Sequence, residues 1–561
     1  MGIEGRRRRR TTRSQAAAPF PPPPPRPWWE RPRGAAVIVA AAVAVVFARS
    51  LANGFTYDEP LVIVKAQNFL KSTDFGALVT REYFSATLEG TWRPFCTLTY
   101  MLDALVAFTP AVFKADSLLW HAASAILVMA LARRLLPERR RRYALVAGLV
   151  FALHPVTTET VDNASFREDS LVTFWTLATI LLELSGRGGL ALAAFALGLL
   201  SKESAIVAPV LLAGIRLWGP AELRRRVPAI ARELAPLLVV LATYLAIRFG
   251  PMKTEGQYAL YPGGSLGAAL LGMPLVWAHY VRLLVWPWPL CADYTGYFPF
   301  AHPPPVALAV SGLVVLAFAA AIVVAARRGQ RGVAFGLAWF ALALGPVSNL
   351  IPVPIPAAER FLTLPLAGIA LAAASAAASL SERLLPARWR ALRATGIAVL
   401  VAFAVVVNLR HGAWRDDATL WVDTVAVNPR SCGAQSAAGG TLLTRGIEQH
   451  SPWLLRDAVA HQELALRLCS DDSDQARAAM IHTRLGAGRA MLGDASGARA
   501  ELAHALELAP RYALAVVWLG YADYLAGDLD GAASLLKQAI FDLGPPDSNV
   551  AEVARLYLDK L

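Results

Sequence analysis

Between residues 34 and 410 the chain is a train of apolar runs, more than one soluble core could bury. A helix rises about 1.5 Å per residue, so about 20 apolar residues cross a bilayer core of about 30 Å. The sequence predicts spans at 34–53, 115–136, 143–157, 169–184, 189–201, 203–218, 230–249, 305–326, 332–349, 361–380 and 394–409, eleven in all. One more stretch, 266–290, is apolar but carries His279, Arg282 and three prolines. It is read as a re-entrant or interfacial helix on the outer face. Composition agrees, with 56% apolar and 17% charged residues. A soluble domain is roughly a quarter charged. An ordinary cytosolic enzyme is excluded, and so is a disordered scaffold, which would be poor in apolar residues. The expected class is an all-α polytopic membrane bundle.

The formal net charge of +13 is unevenly placed. Residues 1–33 hold nine Arg against Glu4 and Glu30, which is +7 of the total. This segment, with its run of prolines, is read as a disordered or polyproline cytoplasmic tail rather than a cleaved signal peptide. Basic residues favour the inner side of a membrane. The loops that this start places inside carry Arg133, Arg134 and Arg139 to Arg142, then Arg187, then Arg216 and Arg224 to Arg226. Further on they carry Arg327, Arg328 and Arg331, then Arg383, Arg388, Arg390 and Arg393. Eleven crossings put the C-terminal segment outside. The basic tail suits contact with anionic lipid better than nucleic acid, which is not an expected partner.

After Arg410 the sequence turns soluble, helical and rich in Ala and Leu. Leu485-Gly486 recurs as Leu519-Gly520, and Ala498, Leu502 and Ala505 recur as Ala532, Leu536 and Ala539. Pro510 recurs approximately at Gly544-Pro545. A period of 34 is that of tetratricopeptide (TPR) helix pairs. A degenerate earlier unit is expected near Ala438-Gly439, with an insertion around His450 to Trp453. The domains are thus a 1–33 tail, a 34–410 transmembrane domain and a 411–561 extracytoplasmic TPR α-solenoid. The four cysteines form no CxxC pair; Cys432 and Cys469 are free to bridge in an oxidising compartment, and the sequence leaves that open.

Charged residues at membrane depth are costly and need a reason. With this topology they collect at the outer ends of the spans: Asp58 and Glu59, Arg93, His154, Glu159, Asp162, Arg167, Glu168 and Asp169, Lys202 and Glu203, Asp293 and Tyr294, Glu359 and Arg360. A bundle would gather them around one outward cavity. Each also has a plain reading. Arg167 and Arg360 would pair with Glu159 and Glu359, Lys202-Glu203 would mark a turn, and His154 before Pro155 would be structural. The sequon at Asn163 lies too near a span to be glycosylated.

In order and content these elements resemble the GT-C superfamily of membrane glycosyltransferases. Within it they resemble the TMTC (transmembrane and TPR-containing) O-mannosyltransferases, and more distantly the PMT protein O-mannosyltransferases. The matching segments are FTYDEP at 55–60, WRPFCTLTYMLD at 92–103, HPVTTETV at 154–161 with Arg167, and SKES at 201–204. WPLCADYTG at 288–296, AERFLTLPLAG at 358–368 and WRDDATLW at 414–421 complete them. The chain has Asp58-Glu59 where eukaryotic TMTC members usually carry two aspartates, and its composition suggests a bacterial relative.

The resemblance implies a polyprenyl-phosphate-linked sugar donor, mannose above all, and an inverting displacement by a hydroxyl of an extracytoplasmic protein. Asp58 would be the general base, with Glu59 beside it. Arg360 and Lys202, then Arg167 and Arg93, would stabilise the departing lipid phosphate. His154, Glu159, Asp162, Asp293, Tyr294 and Glu359 would line the rest of the cavity. No cofactor is implied and no metal is expected, although these residues include ligand types. The TPR groove would present the acceptor. The place implied is a bacterial inner membrane, with the N-terminus cytoplasmic and the TPR domain periplasmic. Two rival readings are a transporter or flippase, for which no repeated half is visible, and a non-catalytic TPR scaffold, in which the outer carboxylates are dispensable.

Overall fold

The computed structural model describes residues 27–87, 89–253, 260–469, 474–543 and 549–559. Most of the proline-rich tail and the Gly544-Pro545 position lie outside them. Every regular element among the described residues is helical.

Among the described residues seven helices are long and apolar enough to cross a membrane: Pro32–Ala52, Pro110–Leu135, Val227–Phe249, Leu266–Val285, Pro305–Arg327, Glu359–Arg383 and Pro386–Ala413. A bent pair, Glu138–Leu153 with Pro155–Asp162, makes an eighth candidate, broken by 52°. Several of the other predicted runs form shorter apolar helices. The run at 143–157 stops at His154, because Pro155 cannot continue the helix. Gly188–Leu199 has 12 residues, about 18 Å of helix, and Ala208–Trp218 has 11. Arg331–Ala343 is also short, and Arg167–Leu184 begins with three consecutive charged residues. Proline opens several of the long helices, as at Pro32, Pro110, Pro305 and Pro386, where its missing N–H costs nothing.

Burial separates these helices. The apolar window of Glu359–Arg383 is 72% buried within the protein, whereas that of Pro305–Arg327 is 0% buried and presents its apolar surface outward. Arg331–Ala343 packs so closely on the former that a Cβ at Gly336 would lie 2.4 Å from the Gly368 carbonyl oxygen. Small residues permit that approach.

Leu266–Val285 has the length of a span, yet its polar contacts follow one loop. The Tyr261 hydroxyl just before it reaches the Leu350 carbonyl (3.3 Å), Trp277 Nε1 donates to Ser348 (3.1 Å), and Tyr280 accepts from the Ala358 N–H (3.2 Å). The Leu284 carbonyl meets His154 Nε2 at 3.2 Å.

The arginine-rich loops meet at the far end of the bundle. Arg140 pairs with Glu382, and Arg134 donates to the Leu184 carbonyl. Residues 135–140, 218–224 and 329–333 surround one cavity there.

Beyond Pro386–Ala413, the helix Asp417–Val427 leads into three helix hairpins. They are Cys432–Glu448 with Pro452–Leu468, Gln475–Met491 with Ala495–Leu508, and Ala513–Leu525 with Leu529–Phe541. The period of 34 has a physical basis. Cβ atoms at Gly486 and Gly520 would fall 2.6 and 3.1 Å from Cγ of Leu502 and Leu536. Asp494 and Asp528 cap the second helices, accepting from the Gly497 and Gly531 N–H groups at 2.9 Å. The insertion expected at His450 to Trp453 is instead the turn of the first hairpin, with His450 at φ 49°. Cys432 and Cys469 form a disulfide joining the outer ends of that hairpin, with Cα atoms 5.8 Å apart.

Candidate functional site

The loop that carries Asp58 is fixed by residues more than 350 positions later. Asn53 Nδ2 donates to the His411 carbonyl (3.0 Å), and the Gly54 N–H to the Arg415 carbonyl (2.9 Å). Tyr57 adopts φ 61°, which few non-glycine residues tolerate. Its N–H donates to Asp417 Oδ1 at 2.7 Å, and its ring stacks on Trp421 and abuts Phe166. This turn aims the next residue, Asp58, toward the charged cluster.

Asp58 is half-buried, and its carboxylate has no hydrogen-bond or ion-pair partner among the described residues. Burial pushes its pKa from the ordinary 3.8 up to about 6; Arg360 pulls the other way, while Glu168 and Glu159 add to the rise. Glu59 is the opposite case. It is fully buried, accepts the N–H groups of Thr56 (2.7 Å) and Ala164 (2.6 Å), and pairs with Lys114 at 3.4 Å. Beside Asp58, this carboxylate is enclosed and its contacts pin the loop.

Three of the four predicted cations converge. Arg360 pairs with Glu159, which also accepts the Arg360 N–H at 2.7 Å, and its guanidinium stacks 3.9 Å from the Phe166 ring centre. Lys202 lies 2.5 Å from Asp169 and 3.4 Å from Glu168. Arg93 bonds Glu168 at 2.7 Å and leaves Nε without a partner. The segments around 93, 159–169, 202 and 360 thus share one charged network beside Asp58. Lys202 reaches it because the helix Gly188–Leu199 ends just before it.

Arg167 lies apart from this network. It is fully buried, pairs with Asp103 (2.6 Å) and Asp116 (2.9 Å), and donates to Ser117, Thr99 and the Phe113 carbonyl. Five expected cavity residues also have partners within the protein. His154 caps Pro155–Thr157 and contacts the Leu284 carbonyl. Asp162 is buried against His411 Nδ1 at 2.7 Å. Tyr294 donates to Glu359 (2.9 Å), and Glu359 also accepts the Cys291 N–H (2.5 Å). Asp293 faces the C-terminal part, where Ser431 donates to it at 2.5 Å and Asn428 donates to its carbonyl at 2.9 Å. Asn163 is buried, with Nδ2 donating to the Thr56 carbonyl.

Sequence reasoning passed over Lys114, Glu89, Asp103, Asp116, His411 and Asp417. Lys114 sits in an apolar run, and its fully buried charge was the available signal. Glu89 accepts from the Tyr83 hydroxyl, and burial pushes its pKa up to about 7. Among the described residues no group of three or more His, Cys, Asp or Glu is placed to hold a metal ion.

No family model matches the chain, and no solved structure matches it. Curated relatives do. It is 24% identical to the protein O-mannosyl-transferase TMTC3 of Mus musculus, over 71% of this chain and 48% of that one. It is 24% identical to TMTC4 of Homo sapiens, over 72% of this chain and 63% of the relative. Against Tmtc2 of Drosophila melanogaster it is 33% identical, over 29% of this chain and 19% of the other. The chain spans less than two thirds of the length of each of these relatives.

Proposed function

We propose that this chain, which is TMTC-like, is a multi-pass membrane glycosyltransferase. It transfers a sugar, mannose by likeness to the relatives' names, from a polyprenyl-phosphate donor to a hydroxyl of an extracytoplasmic protein. Attack on C1 forms the new C–O bond as the sugar–phosphate bond breaks, inverting the anomeric centre. The acceptor proton passes to Asp58, and the electron pair leaves with the lipid phosphate.

One observation carries this reading. In a network where Glu159, Glu168 and Asp169 are bound to cations, Asp58 is the carboxylate left half-open and without a described partner. A general base must be accessible and must have a pKa near the operating pH. A value of about 6 meets the second condition. Arg360, Arg93 and Lys202 are the cations for the leaving phosphate. Their N–H groups are held by carboxylates, and an arriving phosphate competes for them.

The site end is read as outside and the arginine-rich end as inside, following the positive-inside rule. The C-terminal hairpins are then extracytoplasmic, and the Cys432–Cys469 disulfide supports that side. Leu266–Val285 is read as lying along the outer face, beside the loop it follows. The membrane is read as a bacterial inner membrane, and the acceptor as a peptide delivered along the TPR hairpins.

The test is purified protein with radiolabelled polyprenyl-phosphate mannose and a Ser/Thr-rich acceptor peptide. Transfer by the parent and none by Asp58→Asn supports the reading. Equal transfer by both sinks the base assignment, and no transfer by the parent from any lipid-phosphate sugar sinks the function.

A further inference from the structure

A cavity of about 350 Å³ opens at the opposite end of the bundle from Asp58. From Lys114, which pairs with Glu59 next to Asp58, to Leu135 on the cavity wall is about 30 Å along one helix, about the thickness of a bilayer core. The two sites are therefore separate.

The cavity wall mixes two chemistries. Arg140, Arg224 and Arg331 line it, with Glu222 as its one carboxylate. Arg140 is already engaged by Glu382. The side chains of Arg224 and Arg331 are exposed and have no hydrogen-bond or ion-pair partner among the described residues. Arg331 also opens the helix Arg331–Ala343, whose first N–H groups receive no side-chain cap. Unsatisfied N–H groups at a helix start add to the positive potential. Trp218 and Phe335 add apolar surface to the same wall, and Ser375 also lines it. Trp218 is 59% exposed at the rim, as aromatic residues are at headgroup level.

A free inorganic anion would use the guanidinium groups and leave the apolar surface bare. A molecule with a phosphate and an adjoining hydrocarbon part uses both. Basic pockets between helices on the inner side of a membrane hold anionic headgroups. We propose that this cavity binds the phosphodiester headgroup of an anionic phospholipid, with Arg224 and Arg331 on the phosphate and Trp218 and Phe335 against the glycerol and upper acyl region. The inference stands independently of the transferase reading.

The full chain is reconstituted in nanodiscs of phosphatidylcholine, alone or doped with phosphatidylglycerol, and native mass spectrometry counts the anionic lipid retained on transfer to detergent. The parent is expected to keep phosphatidylglycerol selectively. Arg224→Gln with Arg331→Gln together should weaken retention about tenfold or more. Arg388→Gln with Arg390→Gln, basic positions outside the cavity lining, should leave it intact. Equal losses in the two pairs would mean diffuse attraction and overturn the site. Unchanged retention in the cavity pair would overturn it as well. Displacement of the lipid by millimolar inorganic phosphate would assign the cavity to a free anion and overturn the lipid. Circular dichroism and a melting curve for each variant separate lost binding from lost folding.

Discussion

Asp417 accepts a hydrogen bond from the backbone N–H of Tyr57 at 2.7 Å, across 360 residues of sequence. Tyr57 immediately precedes Asp58, so a residue beyond the last long helix sets the direction of the proposed base. Removing the acceptor by Asp417→Ala should release the φ 61° turn. Turnover should fall about tenfold with the donor KM little changed, because misplacement costs rate more than binding. Asp417→Asn keeps an acceptor oxygen and should retain most of the rate. Steady-state kinetics on the two variants make the check.

Asp58→Asn should reduce turnover by about 10²–10⁴-fold, the range for a general base. Parent activity should rise with pH through about 6, as Asp58 loses its proton. Stability runs the other way. A carboxyl whose folded pKa is raised above its ordinary 3.8 favours the fold below that value, and this contribution is lost as pH climbs through about 6. Asp58→Asn should therefore melt at a higher temperature than the parent at pH 8, with the difference shrinking toward pH 4. A melting curve at each pH measures it.

Arg167→Met leaves Asp103 and Asp116 without their shared cation. Breaking a buried pair from one side costs about 3–5 kcal/mol. The expected result is poor expression or a sharply lower melting temperature, while any protein that folds should keep the parent's donor KM. A selective rise in donor KM in a well-folded variant would return Arg167 to the phosphate.

Cys432→Ser with Cys469→Ser opens a disulfide across 37 residues. Loss of such a loop closure costs about 2–4 kcal/mol. The C-terminal hairpins should become more sensitive to protease, and parent protein treated with a thiol reagent should gain label only after reduction. Label without reduction would mean that the pair is open.

The polar side chains of the site could be read from the sequence, because Asp58, Arg93, Lys202 and Arg360 stand beside apolar runs that make them costly. Their partners could not. The plain reading of Arg360 pairs it with its neighbour Glu359, but it pairs with Glu159, 201 positions earlier. The plain reading of Arg167 pairs it with Glu159, but it pairs with two aspartates on other helices. Adjacent residues on a helix point in different directions, so sequence proximity is a poor guide to pairing there. Helix lengths were hard to read for a related reason. Apolar runs look alike whether lipid or protein covers them, and only packing distinguishes the short enclosed helices from the long exposed ones. The TPR hairpins were legible because each repeat is set by local rules, Gly against Leu and Asp at the cap.

The bonds from Asn53, Gly54 and Tyr57 to residues 411–417 have a consequence for the order of assembly. A ribosome delivers the Asp58 loop early and its brace hundreds of residues later. Until the brace arrives the loop lacks the contacts that fix its shape, so the site is completed near the end of membrane insertion. A nascent chain interrupted before residue 411 would carry every charged side chain of the network and still lack the brace of its Asp58 loop. The finished loop thereby marks that insertion has run its course.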